Sequence, residues 1–298
     1  MLKGLRKSRV SKDIIIILVF AIIISFISIL INMPSTTPYS PFNTGGNGYS
    51  NLLSIKSINV NFVKDARELN QKTLVIIPLR RNPGNAINQL VEDMLKYGTT
   101  IVILDEDGYS NNLLEYLRIK ARVEIYKVLD EVSKIRSREF PLIELVLGNN
   151  TMKIATYRPS YIILDEENTV SVAKTSRYAY ADVDRNGYYT VGESMGEYLI
   201  ACSWKINNGV LWLVADLDLF ANNLMDLGDN IDFLYKLMSS GKASIIVDYI
   251  DLDIVDLFKY WFNNLVPGVS IQDRISLALL SYFVVLVVIA MMKYVEKK

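Results

Sequence analysis

Oxygen-bearing side chains recur at regular intervals between residues 182 and 193. Asp182, Asp184 and Asn186 occupy alternate positions, Gly187 follows directly, and Glu193 closes the pattern. This is the complete D-x-[DN]-x-[DN]-G-x5-E spacing of a calcium loop. Ca²⁺ takes roughly six to eight oxygen ligands, and the glycine permits the sharp turn around the ion. The sequence therefore predicts a calcium site formed by Asp182, Asp184, Asn186, the backbone carbonyl of Tyr188 and Glu193.

The residues on both sides of this loop favour strands rather than the two helices of an EF-hand. Residues 175–181 and 198–206 are rich in aromatic and apolar residues typical of strands. A hairpin turn that carries the spacing by chance is the alternative, but the number of constrained positions favours calcium. Where ambient calcium is high, such a loop would stay occupied, so we expect a structural clip rather than a sensor.

A second set of acidic residues follows two apolar runs that predict buried strands. Asp105, Glu106 and Asp107 end one run, and Asp216 and Asp218 end another. Sites of α/β proteins form at the carboxyl ends of parallel strands, and two carboxylates ~5–9 Å apart suit glycoside hydrolysis. A carboxylate-based glycan hydrolase is therefore the alternative function. Acidic residues at such positions are also ordinary helix caps.

Composition excludes several classes of enzyme. The chain has no histidine and one cysteine, Cys202, which lies in an apolar run and is expected to be a buried thiol. Ser-His-Asp and Cys-His catalysis, and zinc sites built on histidine or several cysteines, are therefore excluded. Lysine plus arginine number 32, as do aspartate plus glutamate. With no net charge, no surface for nucleic acid is expected, and the sequence favours a protein that is not an enzyme.

Two charge-free apolar stretches, residues 14–33 and 275–292, bracket the chain. Each is long enough to cross a ~30 Å hydrocarbon layer as a transmembrane helix. Basic residues lie in the flanking tails, 1–13 and 293–298, and positive charge stays in the cytoplasm. We expect a two-pass protein of the cell membrane with both termini cytoplasmic and the main domain outside. A cleaved signal peptide is the alternative for the first stretch, although no A-x-A site follows it.

Alternating apolar runs between these spans predict an α/β fold. Thr73–Leu79 and Thr99–Glu106 read as buried strands, and residues 85–98 between them have helical spacing. Such a βαβ unit has parallel strands. The pattern returns between Gly209 and Ile250, so we expect a mainly parallel sheet flanked by helices. Short β-rich pieces at about 120–205 predict an insertion.

The remaining boundaries follow from composition. Residues 34–48 are uncharged and rich in Pro, Ser, Thr, Gly and Asn, which favours a linker. The extracytoplasmic α/β domain then occupies 49–253. Residues 254–268 predict an amphipathic helix that lies at the membrane interface or packs on the domain. The expected partners are the lipid bilayer and a membrane or envelope protein of unknown identity.

Asn149 begins the sequon Asn149-Asn150-Thr151, the only one in the sequence. It falls between two predicted strands, on the side of the membrane where glycosylation occurs. We therefore expect Asn149 to be an accessible glycosylation site.

The chain resembles the membrane-anchored domain-of-unknown-function family 4350 of archaea and bacteria over about residues 41–255. Four stretches carry the resemblance: the entry NTGGNGYSNLL; the pair TLVIIPL and TTIVILDEDG; SRYAYADVDRNGYYTVGESMGEYLIA; and NNGVLWLVADLDLFANNLMDLGDNIDFLYKLM. The last two are the most specific. The resemblance implies a fold similar to class I glutamine amidotransferases, a membrane tether and a non-catalytic role.

The amidotransferase-like fold normally has a nucleophilic cysteine on the turn after a strand, with a histidine and a carboxylate nearby. The turn at residues 105–108 has no cysteine, and the chain has no histidine. The resemblance therefore implies the fold without its catalytic triad. Relatives of the family often accompany a AAA-type ATPase, which implies a membrane complex. The first interpretation is a membrane-anchored extracytoplasmic binding or scaffold module, and its ligand and oligomeric state are left open.

Overall fold

The computed structural model describes residues 12–55, 57–62, 73–148, 150–165, 169–238 and 241–265 of the 298-residue chain. These residues fall into two units, one formed by residues 35–252 and the other by residues 12–34 with 253–265. The predicted span 275–292, the tail 293–298 and Asn149 lie outside the described residues, as do residues 1–11 of the other tail.

A nine-stranded mixed sheet forms the centre of the 35–252 unit. Its spatial order is β1 (Ile58–Asn61), β14 (Ala243–Ile246), β2 (Leu74–Pro78), β3 (Thr100–Leu104), β13 (Gly209–Val214), β12 (Leu199–Ile206), β9 (Ser171–Lys174), β6 (Leu142–Leu147) and β7 (Asn150–Ala155). The first five strands pair in parallel. The other pairs are antiparallel. The α/β class is confirmed, and the parallel pairing is confined to one half of the sheet.

The predicted β-rich insertion is not a separate layer in the structure. Four of its strands, β12, β9, β6 and β7, continue the central sheet. Strand β12 pairs with the free edge of β13, β9 pairs with β12, and β6 and β7 follow in turn. Its other strands form two small sheets. These are β11 (Met195–Gly196) with β10 (Ala179–Asp182) and β5 (Lys127–Asp130), and β4 (Ala121–Val123) with β8 (Ile162–Leu164).

The first and last of the described helices form the second unit, and the others belong to the 35–252 unit. The helices are α1 (Lys12–Asn32), α2 (Ser50–Ser54), α3 (Ala86–Lys96), α4 (Asn111–Tyr116), α5 (Asn230–Leu237) and α6 (Ile254–Leu265), with a 3₁₀ turn at Asp218–Phe220. Helix α3 is the predicted crossover between β2 and β3, and it ends before Gly98, which has a φ of 87°. Within the part of the chain that the structure describes, no helix is both long enough and apolar enough to cross a membrane.

Apolar side chains cover both faces of the parallel strands. Ile76 of β2 and Val102 of β3 lie in one buried cluster, while their neighbours Val75 and Ile101 lie in the other. Successive residues of a strand point to opposite faces, so a strand buried on both faces needs a continuous apolar run. This is why these strands could be recognised from the sequence. Cys202 of β12 is buried in the second cluster, as predicted.

Residues 35–49, here called the entry segment, differ from the linker predicted at 34–48. Several of its side chains are buried, including Tyr39, Ser40, Asn43 and Tyr49. The side-chain amide of Asn222 donates to the carbonyls of Asn43 and Gly45, at 3.1 and 2.7 Å. A loop can be packed only when its polar backbone groups find partners. Asn222 supplies them here, so the segment is part of the domain.

Gly48 of the entry segment is packed so closely that a methyl group has no room. A Cβ at this position would lie 1.9 Å from the carbonyl oxygen of Asn43, whereas one at Gly46 would lie 3.4 Å from the Cβ of Asn223. We expect Gly48→Ala to lower the free energy of unfolding by about 1–3 kcal/mol, because the backbone must shift. Denaturant unfolding of the full chain in detergent measures this.

Gly46→Ala is the matched control, since its added methyl group makes an ordinary contact. We expect it to change the free energy of unfolding by less than about 0.5 kcal/mol. Equal losses in the two variants would contradict the close packing of Gly48.

Candidate functional site

The predicted calcium loop begins where strand β10 ends. Asp182 is the last residue of β10, and the short strand β11 follows the loop at Met195. Strands therefore flank the loop, as the sequence predicts. Gly187 has a φ of 78°, a conformation that suits glycine, and it makes the sharp turn in the middle of the loop.

Three acidic side chains of this loop converge. Asp182, Asp184 and Glu193 each offer a carboxylate oxygen, and these oxygens lie within 4.8 Å of one another. Asp182 is buried, Glu193 is half-buried and Asp184 is exposed. The first, second and last of the five predicted ligands therefore meet at one point.

Backbone amides hold the converging side chains in place. The amide of Gly187 donates to Asp182 Oδ2 at 3.0 Å, and the amide of Tyr188 donates to Asn186 Oδ1 at 2.6 Å. Glu193 accepts from two amides, with Oε1 2.8 Å from Val183 N and Oε2 2.9 Å from Thr190 N. Each oxygen that accepts one such bond keeps a further lone pair for a cation.

Asp182 Oδ1 decides how well the loop fits a cation. The side chain is 2% exposed, and this oxygen has no hydrogen-bond donor among the described residues. An unsatisfied buried polar atom costs about 1–3 kcal/mol, and more when it carries charge. A bound cation would remove this cost. Carboxylate, amide and carbonyl oxygens are hard ligands of the kind that Ca²⁺ prefers, so the residues fit the ion.

The second set of predicted acidic residues lies at the carboxyl ends of β3 and β13. The two strands are parallel neighbours, and Leu104 pairs with Val214 at their ends. Glu106 follows β3, and Asp216 and Asp218 follow β13. Their carboxylate oxygens lie within 4.8 Å of one another. These three residues are called the carboxyl cluster below.

Asp105 and Asp107 do not join the carboxyl cluster. Asp105 Oδ2 accepts from the amide and the hydroxyl of Ser110, at 2.7 and 2.6 Å, and its Oδ1 accepts from the amide of Asp107 at 3.0 Å. Asp105 therefore fastens the turn that leads into helix α4. The sequence could not separate this capping role from a site role, because both place an acidic residue after a strand.

Four residues that sequence reasoning missed surround the carboxyl cluster. The hydroxyl of Tyr39 donates to Asp218 Oδ2 at 3.1 Å, and that of Tyr49 donates to the carbonyl of Leu217 at 2.5 Å. Lys127 and Arg80 form ion pairs with Glu106, at 3.3 and 3.9 Å. Tyr39 and Asp218 are 179 residues apart, and no sequence signal links them.

Burial raises the pKa of all three carboxyl groups, and repulsion within the cluster adds to the shift for Asp216 and Asp218. For Asp218, burial and then the charge of Glu106 raise the pKa from 3.8 to about 7. For Asp216, burial and then Asp218 raise the pKa well above its ordinary value. Burial also raises the pKa of Glu106, although Lys127 opposes the shift. The cluster therefore holds protons at a pH where ordinary carboxyl groups are ionised.

The carboxyl cluster fits a metal ion poorly. Asp216 already accepts from two backbone amides, those of Asp218 and Tyr157, at 2.8 and 3.0 Å. Asp218 accepts from Tyr39, and Glu106 is paired with two cations. The two cations beside Glu106, and the protons that the raised pKa values keep on Asp216 and Asp218, therefore oppose a metal ion. Two surface cavities, of about 580 and 390 Å³, are lined by other residues.

No family model and no curated protein sequence matches this chain. Among solved structures it is similar to the mmIFT52 N-terminal domain, with 15% identity and a TM-score of 0.45 over 60% of this chain and 81% of that one. It is also similar to Gan42B, a GH42 β-galactosidase, with 13% identity and a TM-score of 0.32 over 56% of this chain and 21% of that one. A third similar structure is a β-galactosidase from Rahnella sp. R3, with 12% identity and a TM-score of 0.30 over 55% of this chain and 23% of that one.

All three TM-scores are below 0.5, so these similarities carry no argument about fold or function. The aligned region spans less than a quarter of each galactosidase. None of these three structures is described as a member of family 4350, and the resemblance to that family stays a prediction.

Calcium should stabilise the domain through this loop. A ligand that binds only the folded state adds about 2.7 kcal/mol at a concentration ~100-fold above its Kd. For a domain of this size that raises the Tm by roughly 5–10 °C. We expect the full chain in detergent to melt at a higher temperature in calcium than in chelator, as measured by scanning calorimetry.

The matched variants are Asp182→Asn and Asp226→Asn, since Asp226 is an exposed carboxylate outside the loop. The first should abolish the response to calcium, and the second should keep it. An identical Tm for the wild type in calcium and in chelator would show that residues 182–193 form an ordinary turn.

Proposed function

We propose that this chain is a non-catalytic binding or scaffold module, anchored in the cell membrane with its amidotransferase-like domain outside the cytoplasm. The charge-free apolar stretches 14–33 and 275–292 would be its transmembrane helices, a proposal that rests on their sequence, and a structural calcium loop would stiffen the domain. The observation that carries the proposal is a contrast between two parts of the 35–252 unit. Its strand-end edge is filled with side chains, whereas its calcium loop exposes apolar ones.

The strand-end edge is where an α/β enzyme would bind its substrate. Tyr39 and Tyr49 of the entry segment are buried there, and their hydroxyl groups bond to Asp218 and to the carbonyl of Leu217. Asp216 and Asp218 are buried as well. A substrate would have to displace the tyrosines to reach either carboxyl group, which supports a non-catalytic role.

The calcium loop offers a surface of the opposite kind. Val191 is 95% exposed and Tyr188 is 63% exposed, and Tyr189 and Met195 are exposed beside them. Exposed apolar patches mark interaction sites of soluble domains. The Tyr188 ring stacks on the guanidinium of Arg138 at 4.4 Å, and Tyr189 packs on Tyr180 at 5.6 Å. The loop therefore presents its side chains from a fixed base, as a contact surface for a membrane or envelope protein.

The unit formed by α1 and α6 supports the membrane anchor. From residue 19 onward α1 exposes large apolar side chains, such as Phe20 and Ile29, and buries Ala21 and Ser28. Helix α6 exposes Ile254 and Trp261 on one side. This arrangement, apolar outside and small or polar inside, suits helices that face lipid.

The charged side chains Asp256 and Lys259 of α6 are buried, on the side away from its exposed apolar residues. Lys259 is buried, and its ammonium group donates to the carbonyl of Met33 just after α1. A cation near the carboxyl end of a helix meets carbonyl groups that have no partner within the helix. The contact fastens the two helices, which both belong to the anchor in this proposal.

Partner capture tests the loop surface. A tagged full-length chain is solubilised from native membranes, and the proteins that co-purify are identified by mass spectrometry. We expect a specific protein to be captured with calcium and to be lost with Val191→Asp or Tyr188→Ser, since both put polar groups into the apolar contact.

Tyr97→Ser is the matched control, because Tyr97 is 65% exposed but lies after α3, away from the loop. It should leave the capture unchanged. Equal loss with Tyr97→Ser, or a capture that ignores all three changes, would contradict the assignment of the loop as the contact surface.

Protease protection tests the topology. We expect protease added to intact cells to digest the 35–252 unit while tags on both termini survive, because the basic tails stay in the cytoplasm. Permeabilised cells, in which the tags are also cut, provide the control. Digested tags together with a protected domain would reverse the orientation.

The second candidate function is a carboxylate-based glycan hydrolase. The carboxyl cluster favours it, since a buried carboxyl group with a pKa of about 7 is suited to general acid catalysis. Incubation with cell-envelope polysaccharides should then release reducing ends, and Asp218→Asn should abolish the release. Absence of release by the wild-type chain would remove this candidate.

A further inference from the structure

The entry segment is held on the domain mainly through a short stretch of later residues. The amides of Asn222 and Asn223 donate to the carbonyls of Gly48 and Gly46, at 2.8 and 3.0 Å. The tyrosine hydroxyl groups reach Asp218 and the carbonyl of Leu217. These contacts go to residues 217–223, which follow β13 and include one member of the carboxyl cluster.

Tyr39 is the link between the segment and the cluster. Its backbone has a φ of 61°, in the left-handed region that a tyrosine rarely adopts. Its ring lies under the guanidinium of Arg80 at 5.3 Å and against Tyr49 at 5.5 Å. Such a conformation persists only where surrounding contacts hold it. Release of the segment therefore relieves this strain.

We infer that the carboxyl cluster is a proton-dependent latch, which holds the entry segment on residues 217–223 when protonated and loosens it when ionised. This inference does not depend on the proposed binding function or on calcium. It rests on three carboxyl groups within 4.8 Å and on the burial of Asp216 and Asp218 beneath the segment's tyrosines. The 3.1 Å bond that Tyr39 donates to Asp218 is stronger when Asp218 is ionised, but burial and the charge of Glu106 outweigh it and raise the pKa of Asp218.

The charges around Asp218 come from each element that meets it. Asp216 lies on the same turn, Glu106 follows β3, and Tyr39 and Tyr49 come from the entry segment. The cations are Arg80 after β2 and Lys127 on β5, and both face Glu106. Two cations against three carboxyl groups leave one negative charge unbalanced when all three are ionised. Asp107 adds to the repulsion on Glu106.

The direction of the pH effect follows from the shifted pKa values. Burial raises the pKa of Asp218 from 3.8 to about 7 in the closed state. A group whose pKa is raised on closing stabilises the closed state fully below its open-state value, and this stabilisation is lost as the pH rises through the closed-state value. Opening lets water reach the ionised carboxylate. The segment should therefore be held most tightly below about pH 4 and loosen progressively toward pH 7.

Hydrogen–deuterium exchange of the full chain in detergent tests the latch. Spectra are taken from pH 4.5 to 8.5 and corrected for the intrinsic pH dependence of amide exchange. We expect protection of residues 39–49 to fall by up to about tenfold per pH unit between pH 4.5 and 7. Protection of Thr100–Leu104 in β3 should not follow this trend, because its amides lie in the sheet interior.

Asp218→Asn is the decisive variant, since the amide is of similar shape and does not ionise. The pH dependence of segment protection should flatten in Asp218→Asn and persist in the exposed control Asp226→Asn. A wild-type segment with constant protection, or an unchanged trend in Asp218→Asn, would overturn the inference.

Glu106→Gln keeps the test decisive if Asp218→Asn fails to fold. Removing the Glu106 charge lowers the pKa of Asp218, so the loss of protection should move to lower pH. A profile in Glu106→Gln that coincides with the wild type would also overturn the inference.

Discussion

Parallel pairing of β3 with β13 is the constraint on which the rest of the domain depends. The register joins Thr100 to Val210 and Leu104 to Val214, so the residues after the two strands must meet at one edge of the sheet. Apolar side chains cover both faces of these strands, and the pairing is fixed by that burial. The carboxyl cluster is a consequence of the register. The entry segment is then placed by its bonds to the residues that follow β13.

The carboxyl cluster and the calcium loop each contain three acidic side chains, but the negative charge is neutralised differently in the two. At the strand ends, protons, backbone amides and two cations surround the carboxyl groups, so the site is complete within the chain. In the loop at residues 182–193, backbone amides satisfy most oxygens, but Asp182 Oδ1 is buried without a donor. Of these two sites, the loop is therefore the one that a bound cation would stabilise, through Asp182 Oδ1. The difference lies in the donors available, since each group brings three carboxylates within 4.8 Å.

Asparagine side chains hold the irregular parts of the domain together. Asn222 donates to carbonyls of the entry segment, while the buried amide of Asn230 donates to the carbonyls of Ala155, Leu219 and Leu224. An amide side chain can replace the backbone partner that a loop lacks. Asn222 and Asn230 both lie in the last of the four stretches on which the resemblance to family 4350 rests.

The sequence alone determined the local features of this protein. Continuous apolar runs predict β2, β3 and β13, because strands buried on both faces need them, and helical spacing predicts α3. The calcium spacing predicts that Asp182, Asp184 and Glu193 converge, since a short loop closes on itself wherever it lies. Tertiary structure decided what depends on distant pairing. It extended the sheet with antiparallel strands, packed residues 35–49, separated Asp105 from Glu106, and brought Tyr39 to Asp218. Such contacts join residues far apart in the chain, where no local pattern can record them.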